Sequence, residues 1–480
     1  MHHRIKKGSR WLAGLSLAIL VLTGVRLQLY AQFEQRVDGR TWVSVSKNLS
    51  LFHILVLLTP SRFDRADLFG HPLAAVAREY FKEFRTHPAV AVTDKLFNQN
   101  WYFLFDYAAY FHTDFPEARL LSGVVLPDEF ATNEPLKKTL EEYLSLVRDF
   151  YAASNFPEFW EKQKSALEAV AAAIRSGLSR DAESPSRPKV KYPRADIPKL
   201  MEDFYGSGGA TRYDIVPCPF MQNSATHAEV QFADGSSRFY YLQGGDIGGN
   251  PFYTTYFAFH EFGHSFVGPL STKFATQIAA LSHLFTPLKA DLAKIGYGTW
   301  PTAFEDHLVR AGVLHLMRKA FGEEEMRTIW KVEEPPSFRL LGHFYAYLLD
   351  YDAQRDRYGS LEAFFPEFLK RLGRLDVESY RRPDRMGFVM DAKDDKIYIK
   401  DLVPDSAFAK AGVQKGDLLV SIQGDQVTSG EDFNRIKEAR WNSVQEGDSV
   451  EIVVLRDGRE VKLRIPVPFV ADFRYVEKSS

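Results

Sequence analysis

His260-Glu261-Phe262-Gly263-His264 is the stretch on which the fold turns. On a helix, HExxH sets two imidazoles one turn apart on a single face, where both reach one Zn²⁺. The intervening Glu261 points toward water at that ion and is placed to take its proton. The flanks fit a helix. Asn250-Pro251 or Thr254-Thr255 supplies a start, Tyr256-Phe257-Ala258-Phe259 is apolar, and Gly268-Pro269 predicts the stop. The pentapeptide therefore sits in a short, buried helix, where two imidazoles and a carboxylate without partners would be costly. The plain alternative is a core helix whose histidines are satisfied by neighbours.

A zinc site of this type needs a third protein ligand and one open position. In HExxHxxGxxH the motif helix region supplies it, but Val267 and Leu270 occupy the glycine and histidine positions here. A carboxylate on a later helix remains. Glu305 is the first candidate, at the head of an amphipathic helix; Thr302-Ala303-Phe304-Glu305 also reads as a capping box. Asp306 is the second candidate, with Arg310 one turn on as its expected ion-pair partner. Glu323-Glu324-Glu325 reads as a solvated helix start. His343, Tyr345 and Tyr347 fit either an oxyanion donor or an aromatic core helix.

Upstream of the motif the pattern turns to strands. Ala228 to Phe232 and Arg238 to Leu242 alternate around Asp234-Gly235, a hairpin signal. A small sheet followed by an HExxH helix is the order of zincin-type metallopeptidases. Residues 32–205 read as a helical region, with apolar spacing predicting helices over 71–84, 134–153 and 156–176. Asp181 to Arg194 reads as an exposed connection. Downstream, helices are predicted over 303–321, 338–352 and 361–372, then a polar joint from Asp376 to Asp384.

Composition sets the outer bounds. Of 480 residues, 60 are basic and 62 acidic, a net charge of −2, so nothing in the composition points to nucleic acid. Cys218 is the single cysteine, which excludes an intrachain disulfide and a thiolate metal cluster. Arg4, Lys6, Lys7 and Arg10 precede the apolar run 11–25, and no acid appears before Glu34. That layout predicts a signal peptide or N-terminal membrane anchor over 1–31, with the rest extracytoplasmic, either periplasmic or secreted.

Tyr80-Phe81, His87-Pro88-Ala89-Val90, the motif extended through Ser265-Phe266-Val267, and Glu305 with His307-Leu308-Val309-Arg310-Ala311 together resemble an uncharacterised bacterial domain-of-unknown-function family of gluzincin-like zinc metallopeptidases. The resemblance spans most of residues 45–370 and implies a zinc peptidase domain (206–376) behind the helical region. It implies no substrate. Val403-Pro404-Asp405-Ser406-Ala407, Ala411-Gly412-Val413-Gln414-Lys415-Gly416-Asp417-Leu418-Leu419 and Ile422-Gln423-Gly424 look like a PDZ domain, over 382–470. In it Arg385-Met386-Gly387-Phe388 would be the loop that receives a peptide C-terminus, and Ser429 to Trp441 the helix closing the groove.

The expectation is thus an α+β chain: a mostly helical gluzincin domain with a small sheet, then a β-rich PDZ domain. His260, His264 and Glu305 would hold Zn²⁺, Glu261 would act as base, and Met386, Gly387 and Phe388 would bind peptide. Two other readings are a PDZ-containing gluzincin aminopeptidase, which needs an acid near the cleft for the substrate α-amine, and a non-catalytic peptide-binding protein. Retention of Glu261 favours an enzyme.

Overall fold

A computed structural model describes residues 33–98, 110–187, 189–245, 250–333, 337–393 and 395–478. They divide into two units, one running to Leu372 and one from Gly373. The expected signal or anchor lies outside the described residues, and no described helix is long and apolar enough to cross a membrane.

The first unit is built on a six-stranded sheet. Its strands are β1 (Phe33–Arg36), β2 (Thr41–Val45), β3 (Val124–Val125), β6 (Arg212–Cys218), β7 (Ala225–Phe232) and β8 (Ser237–Gly244), in the order β1-β2-β6-β8-β7-β3. β2, β6 and β8 run parallel, while β7 and β8 form the expected hairpin, with Asp234 Oδ1 accepting from Ser236 N at 2.9 Å. Parallel neighbours need a crossover. The one from β2 to β6 contains most of the N-terminal helices, including Lys47–Leu57, Glu134–Ala153 and Phe156–Leu178. Strands on both sides of residue 205 therefore share one sheet, and the helical stretch is an insertion in that sheet.

Local chemistry explains those helices. Asn133 caps Glu134–Ala153 by accepting from Leu136 N, Pro135 fits the first turn, and Leu136, Leu140, Tyr143, Leu144, Val147 and Phe150 form the buried stripe. Phe81, Phe150, Phe156, Phe159 and Trp160 make one aromatic core at ring separations of 4.7–6.4 Å. Each such ring contributes about 1.5–3 kcal/mol by leaving water.

Three expectations need correction. The motif helix does not stop at Gly268-Pro269 but runs Pro251–Lys273. Val267 and Leu270, buried on either side of the proline, anchor the chain well enough to tolerate one missing helical hydrogen bond. The connection 181–194 contains a hairpin, β4 (Ala182–Glu183) with β5 (Lys191–Tyr192), and its Ser184 hydroxyl donates to Glu325. Glu325 is fully buried, so the Glu323-Glu324-Glu325 run is not wholly solvated.

The second unit begins with β9 (Leu375–Pro383), where a polar joint was expected. It is polar because both faces are largely wet, yet its backbone pairs along its whole length with β16 (Phe469–Glu477). Between them lies a sheet of β10 (Phe388–Lys393), β11 (Lys396–Leu402), β12 (Leu418–Ile422), β13 (Asp425–Gln426), β14 (Ser449–Arg456) and β15 (Arg459–Pro466), in which β13 pairs only with β12. The helix Gly430–Arg440, capped by Ser429, covers a core that includes Ile399, Phe408, Leu419, Ile436, Trp441 and Ile452.

Gly387 has a structural task here. Its φ is +80°, and an added Cβ would lie 2.2 Å from Ser406 Cβ, the residue that caps Ala407–Lys410. Gly387→Ala is therefore expected to cost about 1–3 kcal/mol through backbone strain and overpacking, a drop on the order of 5–15 °C in the melting of this unit. Calorimetry of the full chain checks it; unchanged melting would mean that this loop yields freely.

Candidate metal centre

His260, Glu261 and His264 lie in the middle of the motif helix, whose start is set by Asn250, accepting from Phe252 N at 3.0 Å, and by Pro251. Phe262 and Phe266 face the sheet, edge-on to Tyr213 (5.1 Å) and Phe239 (5.7 Å). Gly263 faces the next long helix, Trp300–Phe321. A Cβ there would stand 3.2 Å from Val309 Cγ1, so the glycine lets the two helices close. That helix starts after Thr299, which makes no side-chain cap bond; Glu305 is in its second turn and the capping box does not form.

The crossing brings Asp306 to the histidines. Asp306 Oδ1 is 3.5 Å from His260 Nε2 and 3.9 Å from His264 Nε2, and it is buried without a hydrogen-bond partner. These three residues can offer ligand atoms all within 4.8 Å of one another. The other ring nitrogens turn outward to carboxylates: His264 Nδ1 to Glu305 Oε1 at 3.0 Å, and His260 Nδ1 to Glu333 Oε1 at 3.9 Å. Asp306 Oδ2 accepts from Arg310 Nε at 2.5 Å, as expected, and Arg310 also donates to Glu333. The structure thus sets Asp306 against both Nε2 atoms and Glu305 behind one imidazole.

The charges around the histidines are mostly negative. Glu261, Asp306 and Glu333 are buried acids, and Arg310 is the guanidinium bound to two of them, which leaves a surplus of negative charge. Burial penalises the charged form of His260, but Asp306, Glu261 and Glu333 outweigh it and raise its pKa to about 9. Burial also opposes ionisation of Asp306, yet His260 and Arg310 hold it below the usual carboxylate range. A divalent ion would satisfy the unpaired Oδ1 and the excess charge together. His, His and Asp suit zinc, and the His264 Nδ1–Glu305 hydrogen bond is the kind of outer shell such ligands use, while Glu333 stands 3.9 Å from His260 Nδ1, within ion-pair reach. Glu333→Gln is expected to lower zinc affinity about 10–100-fold, read by competition with a chelating dye. Equal affinity would remove Glu333 from the network.

A cleft of about 350 Å³ opens beside His264 and Glu305, lined also by His227, Glu229, Gly268 and Pro269. In the β7–β8 register His227 lies opposite Tyr241 and Glu229 opposite Phe239, so both face the motif helix. His227 stacks on His264, centroids 4.4 Å apart and planes 7° from parallel, with Nδ1 3.6 Å from Glu261 Oε2. Burial would raise the Glu261 pKa, but His227, His260 and His264 hold it below its usual range. His343, Tyr345 and Tyr347 belong to Leu341–Ala353, where Tyr345 packs on Trp330 and Tyr347 on Phe368. His227 and Glu333 escaped the sequence reading; the strand alternation around 228–232, extended one residue back, was the one available signal for His227.

In the second unit, Met386, Gly387 and Phe388 line a groove of about 370 Å³ with Met390, Phe433 and Lys437. It lies between β10, an edge strand, and the helix Gly430–Arg440. Met386 is also a core residue, and Phe388 packs on Phe408 and Phe433.

The family described as a domain of unknown function (DUF4932) matches residues 41–371, and the PDZ domain family matches residues 384–467. A Mesorhizobium japonicum protein named "Putative zinc metalloprotease" is 40% identical over 63 residues, 13% of this chain and 16% of that protein's length. An aminopeptidase N family protein from Idiomarina loihiensis aligns over 64% of this chain and 65% of its own, with 13% identity and a TM-score of 0.23. The HtrA3 PDZ domain, solved with a phage-derived ligand, aligns over 20% of this chain and 92% of its own, with 16% identity and a TM-score of 0.16.

Proposed function

This chain belongs to the DUF4932 family and carries a PDZ domain, and from that premise we propose that it is a zinc-dependent peptidase of gluzincin type, active outside the cytoplasm, with a PDZ groove that binds peptide C-termini. One observation carries the reading. Asp306 Oδ1, buried without a hydrogen bond, faces the Nε2 atoms of both HExxH histidines, while both Nδ1 atoms are turned to carboxylates. Asp306, in place of Glu305, is the third ligand in this proposal. Glu305 orients His264, and Glu333 orients His260.

Zinc bound there supplies Lewis-acid polarisation of a carbonyl and a more acidic water. The chain supplies the rest. Glu261 is buried, ionised and adjacent to both ligand histidines, and it takes the water proton and returns it to the leaving amine. β3 pairs with β7 only at Gln231 and Phe232, so among the described residues the β7 edge from Ala225 to Glu229 has no partner on that side. An extended substrate adds there as a further strand, next to His227. The extracytoplasmic placement is supported by the basic and apolar residues 4–25.

Metal analysis of the purified full chain, together with cleavage of a peptide library, tests the proposal. One zinc per chain with metal-dependent cleavage is expected; zinc-free protein, or zinc without cleavage, overturns it. Glu229 in the cleft favours a second reading, because it is an acid placed to hold a substrate α-amine. An aminopeptidase would cleave free but not N-acetylated library peptides.

A further inference from the structure

We infer that His227 is a positioning residue for Glu261: its Nδ1–H holds one carboxylate oxygen so that the other faces the metal water. This rests on the peptidase reading and deepens it. The observations are geometric. His227 reaches the centre from the sheet, through its register opposite Tyr241, and not from the motif helix. Its Nδ1 stands 3.6 Å from Glu261 Oε2, a loose distance of the kind catalytic pairs show before a ligand tightens them. Its ring lies flat on His264, which fixes the ring plane.

The other groups near Glu261 are engaged elsewhere. His260 and His264 turn Nε2 to Asp306 and Nδ1 to Glu333 and Glu305. The Tyr241 hydroxyl donates to Gln243. Among the described residues, His227 is left as the side chain that can donate to the base. A carboxylate free to rotate would spend time with neither oxygen on the water, so loss of the donor slows the proton transfer without weakening substrate binding.

Acetohydroxamic acid is a probe that needs no known substrate. It chelates zinc through two oxygens and gives its hydroxyl proton to an adjacent base, here Glu261, which becomes the neutral acid while the bound hydroxamate is an anion. Its affinity therefore reports on the placement of Glu261. In zinc-loaded full-length protein, His227→Phe keeps a flat ring on His264 but loses the donor, and is expected to bind the probe about tenfold more weakly at equal zinc content and melting temperature. His227→Asn places an amide N–H near the Nδ1 position and should restore most of the affinity. His227→Gln places it nearer Nε2 and should not, which keeps a test in hand if the Phe variant misfolds. On a cleaved library peptide, kcat should fall and KM should hold.

Probe affinity that does not change in His227→Phe, or an Asn variant as weak as Gln, overturns the inference alone. Wild-type protein that holds no zinc or binds no hydroxamate overturns the peptidase reading instead.

Discussion

Asp306→Ala is expected to empty the metal centre while Glu305→Ala leaves it mostly filled. Both residues are acids on the same helix and adjacent in sequence, but the helix turns about 100° between them. Only Asp306 places an oxygen against the Nε2 atoms of His260 and His264. Loss of a direct ligand should lower zinc affinity by more than about 100-fold, beyond the 10–100-fold attached to outer-shell partners, the range expected for Glu305→Ala. The Asp306 variant should also be less stable. Removing one member of a buried pair leaves Arg310 facing the gap, a cost on the order of 3–5 kcal/mol. Zinc stoichiometry by mass spectrometry after dialysis, with thermal unfolding alongside, checks both. The reverse ranking, with Glu305→Ala emptied and Asp306→Ala loaded, would restore Glu305 as the ligand.

Glu261→Gln is the second large effect, and it should separate binding from chemistry. Glutamine keeps the shape, and its carbonyl oxygen can still accept from His227, so zinc content and melting temperature should stay near wild type. Its side chain cannot accept the water proton, and turnover should fall by about 10²–10⁴-fold, the range for a lost general base. Near-normal turnover would remove Glu261 from the reaction and leave the histidines as ligands of a structural ion.

The contrast between 305 and 306 shows where sequence reading reaches its limit. Helix spacing alone brings His260 and His264 to one face, because i and i+4 are neighbours on any helix. Helices 134–153 and 361–372 were legible to the residue for the same local reason. In the sequence Asp306 is legible as the second candidate, ranked behind Glu305 because Arg310 one turn on is its expected ion-pair partner. A carboxylate has two oxygens, and Arg310 takes only Oδ2. His227 and Glu333 depend on which strand lies opposite Tyr241 and which helix end packs behind His260, and neither is a local property of the chain. The proposed zinc ligands are thus half legible, and the residues proposed to orient them are not. In the second unit β9 was missed because its charged, two-sided surface lacks the alternation that marks a half-buried strand.

The long excursion between β2 and β6 has a kinetic consequence. Val43 pairs with Ile215 across roughly 170 residues, so this contact is made only after a very large loop has closed, late relative to the hairpins and helix pairs on either side. The β7–β8 hairpin and the motif helix are close in sequence and can associate early, presenting Glu261 and His227 together. The proposed metal ligands His260, His264 and Asp306 lie on two helices close in sequence, so that centre can assemble from local contacts while the long β2–β6 closure is still outstanding.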